Sequence, residues 1–291
     1  MKNKILVLRF GLDGAFFPFI KDEDLKSYYK TNNSRKSILF KILNKLNFYN
    51  LLAFIYFDSW KKELKKYDTV IFFDNGYATT IAKYCKKKNP SIKTIYYTWN
   101  RLNIMNEKQL KYKDIDEFWT YSEEDAKKYK INYNPCFYTN NVNLPSNKRK
   151  YDICFLGLNK NRKNIIDEVN SYCKQQSIKT NFVIIDNENN QISYQVYLNI
   201  ISLSNAILDI VNDKNYGMTL RPLESIFLEK KLVTNYKDIK YYNFYDKENI
   251  FILGVDDMKN LKDFLKRPYK KLDNEVINYY DYENWKNRFI K

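Results

Sequence analysis

The chain has 291 residues, enough to bury two modest cores, and 44% of them are hydrophobic, which excludes wholesale disorder. Its 50 Lys and Arg against 34 Asp and Glu leave a formal charge of +16, so an anionic partner is expected: nucleic acid, an acidic membrane surface or a phosphorylated substrate. There is no histidine, which removes His-based catalysis and most transition-metal sites, and the four cysteines show no CxxC pair, so zinc and a disulfide framework are not expected. Over-use of Lys, Asn, Ile and Tyr along the whole chain is an alternative source of the positive charge.

In chain order, Ile5 to Leu8, Thr69 to Phe73, Thr94 to Tyr97 and Glu117 to Tyr121 are short β-branched or aromatic runs bounded by polar residues, and they predict buried strands. The opening MKNKILVLRFG has too short an apolar stretch for a signal peptide. Helical spacing runs over Ser34 to Lys66 and Gly76 to Lys88 between those strands. The polar, aperiodic stretch Asn140 to Lys150 reads as a linker. Strands are then predicted at Asp152 to Leu156, Asn181 to Ile185, Ala206 to Val211, Leu232 to Thr234 and Ile250 to Leu253. Helices are predicted at Asn161 to Gln175, Tyr194 to Ser202, Leu220 to Glu229 and Met258 to Leu265. The alternation predicts an α/β protein of two doubly wound, Rossmann-like domains facing across a cleft. The domains are expected over 1–145 and 146–272, with an aromatic-rich helical segment at 273–291 that packs back on the first.

The stretch NDKNYGMTLRPLESIF, Asn212 to Phe227, follows the predicted strand AILDIV. Thr219 is placed to cap a helix, Pro222 falls in its first turn, and Gly217 lets the backbone approach a ligand. Arg221 offers a bidentate contact to phosphate, and Glu224 an acceptor for the hydroxyls of a ribose. Together these describe a nucleotide-sugar site; an ordinary strand-to-helix connection with a surface Arg and Glu is the alternative. In FLGLNKNRK, Gly157 leaves the next candidate strand while Lys160, Arg162 and Lys163 crowd a helix start. Facing a cleft, they would offset the charge of a leaving diphosphate without a metal ion; facing solvent, they are a basic helix start.

The segment ISYQVYLNIISLSNAILDIVNDKNYGMTLRPLESIFLEKKLVTN, with YDICFLGLNKNRKNII and EFWTYSEEDAKKYKINYNPCFY, resembles GT-B glycosyltransferases of bacterial lipopolysaccharide and capsular polysaccharide biosynthesis. The resemblance implies donor-binding roles for Gly217, Met218, Thr219, Arg221 and Glu224. It implies transfer of a sugar from a nucleotide-sugar donor to a glycan or lipid-linked acceptor. It also places the acceptor beside RFGLDG, where Asp13 becomes the candidate base, with Asp74 of TVIFFDNG as second choice. Many retaining GT-B enzymes carry a second glutamate eight positions before the one matched by Glu224; Tyr216 stands there, which favours inversion.

No cofactor or metal is expected, and Asp114–Ile115–Asp116 reads as a solvated turn rather than a metal-binding DxD. Ser34 to Asp68 interleaves Lys with large apolar residues and suits either an anionic membrane surface or a helical pair covering the first sheet. A cytoplasmic protein, peripheral on the inner face of the membrane, is therefore expected. A non-catalytic nucleic-acid-binding protein is the main alternative, and another nucleotide-sugar enzyme of the same architecture, such as an epimerase, a further one; no RNP, KH or zinc-finger pattern supports the former.

Overall fold

The computed structural model describes residues 4–31, 33–103, 107–186, 192–212 and 218–290. The chain divides into two compact units, 1–13 with 21–136 and 286–291, and 14–20 with 137–285.

The first unit is built on a six-stranded parallel sheet ordered β2-β1-β3-β4-β5-β6. Its strands are β1 (Ile5–Arg9), β2 (Leu25–Ser27), β3 (Thr69–Phe73), β4 (Lys93–Thr98), β5 (Glu117–Thr120) and β6 (Asn132–Tyr133). β3 is buried at every position and β1 at four of five, as expected where both faces of a parallel sheet are covered. The helices are α1 (Ile38–Lys45), α2 (Tyr49–Tyr56), α3 (Ala78–Lys88) and α4 (Glu123–Tyr129). Phe40, Leu43, Leu52, Phe57, Trp60, Ile81 and Cys85 join Leu6, Leu8, Val70 and Phe72 in one core.

The helical spacing from Ser34 to Lys66 resolves into a pair of helices packed on the first sheet, one of the two readings of this stretch. Leu46 ends α1, Asn47 takes a left-handed φ of 60°, and α2 restarts two residues later. Asparagine tolerates that conformation better than most residues, so the break is local chemistry that apolar spacing does not report. Strands β2 and β6, of three and two residues, were not predicted because neither is long enough to show alternation. The Asp114–Asp116 turn is structural: Asp116 Oδ2 accepts from Thr94 N and Thr94 Oγ1, both at 2.8 Å, and ties the start of β4.

The second unit carries a five-stranded parallel sheet ordered β11-β10-β9-β7-β8. These are β7 (Tyr151–Leu158), β8 (Thr180–Ile185), β9 (Ser204–Asp209), β10 (Lys231–Thr234) and β11 (Ile250–Ile252). Its helices are α5 (Lys163–Gln175), α6 (Tyr194–Ser202), α7 (Arg221–Phe227), α8 (Leu261–Lys266), α9 (Asn274–Tyr280) and α10 (Tyr282–Asn287), the last of which spans the boundary between the units. Ile166, Val169 and Cys173 of α5 and Leu261, Phe264 and Leu265 of α8 pack with Ile153, Phe155, Ala206 and Leu208 of the sheet. The aromatic-rich terminal segment forms two helices that meet at Asp281, whose backbone is extended. Among the described residues no helix is long and apolar enough to cross a membrane.

Candidate functional site

In the second unit, β7 and β9 lie side by side and release their carboxyl ends toward the start of α7. Beyond β9, the side chain of Asn235 extends the ladder: Oδ1 accepts from Val211 N at 2.7 Å and Nδ2 donates to Val211 O at 2.9 Å. Next to β7, Lys160 and Asn161 both adopt left-handed backbone, with φ of 43° and 60°. This tight turn brings Arg162 inward, where it is buried, and leaves Lys160 and Lys163 exposed. Lys163 pairs with Asp167 one turn along α5.

Arg162 Nε donates to Leu158 O at 3.1 Å and Nη1 to Ile210 O at 2.9 Å, clamping the ends of β7 and β9 together. Arg221, the first residue of α7, reaches back to β7, where Nη2 donates to Leu156 O at 2.9 Å. Its Nη1 lies 3.5 Å from Asp209 Oδ1, and its Nε is buried with no hydrogen-bond partner among the described residues. Both guanidinium carbons sit 5.0 Å from the centre of the Phe155 ring. Two cations stacked on one ring need room above the strand, and Gly157 supplies it. A Cβ on Gly157 would lie 2.6 Å from Arg221 Nη2 and 3.0 Å from Arg162 Nη2. Burial, followed by the charge of Arg221, lowers the pKa of Arg162 to about 10.

Glu224 lies one turn into α7 and is buried. Tyr194 Oη donates to its Oε1 at 2.8 Å and Tyr197 Oη to its Oε2 at 2.6 Å. These tyrosines are three apart on α6, which Ser193 caps by accepting from Val196 N. Tyr194 Oη is in turn 2.5 Å from Tyr138 Oη, and Tyr138 is fixed by backbone bonds to Tyr280 and Tyr282. Burial pushes the Glu224 carboxyl above its ordinary value, while the Tyr197 hydroxyl, the Arg221 charge and the Tyr194 hydroxyl pull it back. The three phenols rise well above their usual range, through burial first and then through the Glu224 charge.

Glu224, Arg221, Gly157, Tyr194 and Tyr197 line a cavity of about 360 Å³, walled further by Leu158, Ile185 and Ile192. The volume falls in the range of small-molecule sites. Of the candidate donor residues, Gly157, Arg221 and Glu224 line this cavity, and Arg162 stacks with Arg221 on Phe155. Met218 is buried beside them in sequence, and Thr219 precedes the N-cap residue of α7, Leu220: its Oγ1 donates to Asp209 Oδ1 at 3.0 Å and accepts from Arg221 N at 3.3 Å. Lys160 stays exposed, and Gly217 and Tyr216 lie outside the described residues. The sequence reading passed over Asp209, Tyr138, Tyr194 and Tyr197. Asp209 had a signal, since an acid inside the apolar run AILDIV must find a partner when buried.

The two candidate bases belong to the first unit. Asp13 is exposed in the loop after β1. Asp74 follows β3, and its Oδ2 accepts from Trp99 N at 3.0 Å and Asn100 Nδ2 at 2.6 Å. Burial raises the Asp74 pKa to about 6 against those hydrogen bonds and the nearby Arg9 charge. Arg9, at the end of β1, donates from Nη1 to Phe10 O and Gly11 O, and burial lowers its pKa to about 10.

No protein family and no curated protein matches the sequence. Among solved structures, the chain is similar to a glycosyltransferase from Rickettsia africae ESF-5, with a TM-score of 0.51 at 13% identity, covering 99% of this chain and 88% of that one. It is also similar to the apo form of the lipopolysaccharide outer core galactosyltransferase WaaB, with a TM-score of 0.45 at 13% identity over 91% of this chain and 82% of that one. With the eleven strands of the described residues parallel in two separate sheets, the chain has the α/β fold of GT-B glycosyltransferases, two Rossmann-like sheets, as the sequence predicted.

Proposed function

We propose that the chain is a glycosyltransferase that binds a nucleotide-sugar donor in the cavity of the second unit and transfers the sugar to a glycan or lipid-linked acceptor of cell-surface polysaccharide or lipopolysaccharide. The observation that carries this reading is one cavity combining a guanidinium, a carboxylate and an apolar wall, from Arg221, Glu224, and Leu158 with Ile185 and Ile192. The apolar wall suits a nucleobase, the Glu224 carboxylate suits ribose hydroxyls, and the guanidinium suits phosphate. Each Glu224 oxygen accepts one phenol hydroxyl and keeps a further lone pair for a ligand donor. Arg162 and Arg221 would stabilise the diphosphate as its bond to the anomeric carbon breaks, a role that needs no metal ion.

In the inverting reaction, an acceptor hydroxyl oxygen attacks the anomeric carbon, the nucleoside diphosphate leaves with the bonding electrons, and a base takes the hydroxyl proton. Asp74 suits that base better than Asp13, because it is a buried carboxyl poised near pH 6 and held in place by Trp99 N and Asn100 Nδ2, whereas Asp13 is exposed in the loop after β1.

The test is thermal stabilisation by UDP, GDP, CDP, dTDP and CMP, measured beside Glu224→Gln and Gly157→Ala. A nucleotide at one hundred times its Kd adds about 2.7 kcal/mol. A shift with one nucleotide, reduced in both variants, is the expected result. No shift with any of them, together with no release of nucleotide from sugar donors, overturns the reading.

A further inference from the structure

The described residues contain twelve exposed large hydrophobic side chains, and seven of them fall between Ile38 and Phe54. They are Ile38, Leu39, Ile42 and Leu46 on or beside α1, and Phe48, Leu51 and Phe54 on or beside α2, with Ile38 76% and Phe54 74% exposed. Scattered surface apolar residues need no explanation, but a contiguous set of this kind marks an interaction face.

The helices are not waiting to fold inward, because their opposite faces are already used. Phe40 and Leu43 of α1 and Leu52 and Ala53 of α2 are buried in the core of the first unit. Nor is the exposure a frayed end. Lys30 Nζ donates to Phe54 O at 2.9 Å, and Lys61 Nζ donates to Ala53 O and Phe57 O, both at 2.7 Å, holding the last carbonyls of α2. Ser37 Oγ, 2.8 Å from Tyr56 Oη, joins the start of α1 to the end of α2. Asn44 on α1 and Thr80 on α3 are hydrogen-bonded through their side chains.

The charge around this face has one sign. From Leu25 to Phe57 the sequence has six Lys or Arg and no Asp or Glu, and Lys36, Lys41 and Lys45 are exposed among the apolar residues. Each helix has eight residues, far too short to span a bilayer. Large apolar side chains interleaved with lysine on short, rigidly held helices match the chemistry of an interfacial surface: apolar groups enter the acyl boundary and lysines meet anionic headgroups.

We infer that α1 and α2 form a docking face for an anionic lipid bilayer, with Ile38, Leu39, Ile42, Leu46, Phe48, Leu51 and Phe54 entering the interface. This inference does not depend on the proposed transferase activity, and its test measures no catalysis. The full chain is co-sedimented with vesicles of phosphatidylcholine mixed with phosphatidylserine, and with vesicles of phosphatidylcholine alone. Binding is expected to the anionic vesicles and to weaken as salt is raised to about 0.5 M, where the Debye length is short. The double variant Ile42→Ser/Phe54→Ser should lower the partition coefficient about tenfold or more, given the apolar area each side chain withdraws from water. Lys36→Gln/Lys41→Gln/Lys45→Gln should remove the preference for anionic lipid. Val255→Ser, at an exposed apolar position of the second unit, should bind like wild type. Melting temperatures within experimental error of wild type establish that each variant is folded. Absence of vesicle binding, or binding unchanged in the α1–α2 variants, overturns the proposal. So does a dimer that Ile42→Ser/Phe54→Ser dissociates in a protein that ignores vesicles.

Discussion

Asp74 offers the sharpest test of the electrostatics. Its carboxyl is held near pH 6 mainly by burial, against an unperturbed value of 3.8. A carboxyl raised in the folded state contributes stability that is fully present below its unfolded pKa and is lost as pH rises through its folded pKa. The window therefore runs from pH 3.8 to about 6 and just above. A shift of this size corresponds to about 3 kcal/mol for the whole transition, and roughly 2 once the residual solvent contact of a half-buried side chain is discounted. Between pH 7.5 and pH 5, the wild type should regain about 1 kcal/mol of that, a rise of roughly 3 °C in Tm for a chain of this length. Asp74→Asn keeps an oxygen to accept from Trp99 N and Asn100 Nδ2 but cannot ionise, so it removes this component of the pH dependence. The assay is Tm for both proteins at pH 5 and 7.5, read as the difference between them, which cancels every other titrating group. Superimposable pH dependences for wild type and Asp74→Asn would refute the assignment of the shift to burial of this carboxyl.

Other perturbations follow from the same geometry. Gly157→Ala places a methyl carbon 2.6 Å from Arg221 Nη2; displacing the guanidinium should cost about 1–3 kcal/mol in urea unfolding, and nucleotide stabilisation should fall with it. Tyr197→Phe leaves Glu224 Oε2 without its phenol donor, so a loss of about 1–3 kcal/mol is expected by chemical denaturation, largest at neutral pH where the carboxylate form is penalised most. If Asp74 is the base, the acid limb of kcat/KM in sugar transfer lies near pH 6 and disappears in Asp74→Asn, while Asp13→Asn retains it; the reverse pattern assigns the base to Asp13. Since two guanidiniums are proposed to meet the diphosphate, transfer rates should survive excess EDTA, and activity restored only by a divalent cation would contradict that role.

Much of the fold is written locally. Runs such as ILVL, VIFF and AIL are apolar at consecutive positions, the pattern of strands covered on both faces, and each lies in a strand of a parallel sheet. Helix ends followed short-range chemistry too: Pro222 sits in the first turn of α7, and Ser193 caps α6. The helical pair over Ser34 to Asp68 is one reading of the sequence, but the position of its break, Asn47, is not legible there because one left-handed residue interrupts a helix without disturbing apolar spacing on either side.

The candidate site divides along the same line. The residue types for anion and sugar recognition, Gly157, Arg162, Arg221 and Glu224, stand out in the sequence, because glycine at a strand end and charge beside an apolar run are legible one segment at a time. Which cation turns inward was settled by two left-handed residues, Lys160 and Asn161, which carry Arg162 beneath the surface and leave Lys160 and Lys163 in solvent. That Gly157 must be glycine depends on Arg221, 64 positions later in the chain. That Glu224 is gripped by phenols depends on Tyr194 and Tyr197 from another helix and on Tyr138 from a third segment. The sequence by itself determined where the buried strands run and which chemical groups were available, because both follow from neighbours within a few residues. Only the tertiary structure decided which of those groups meet, because burial and hydrogen bonding are set by segments brought together from dozens of residues apart.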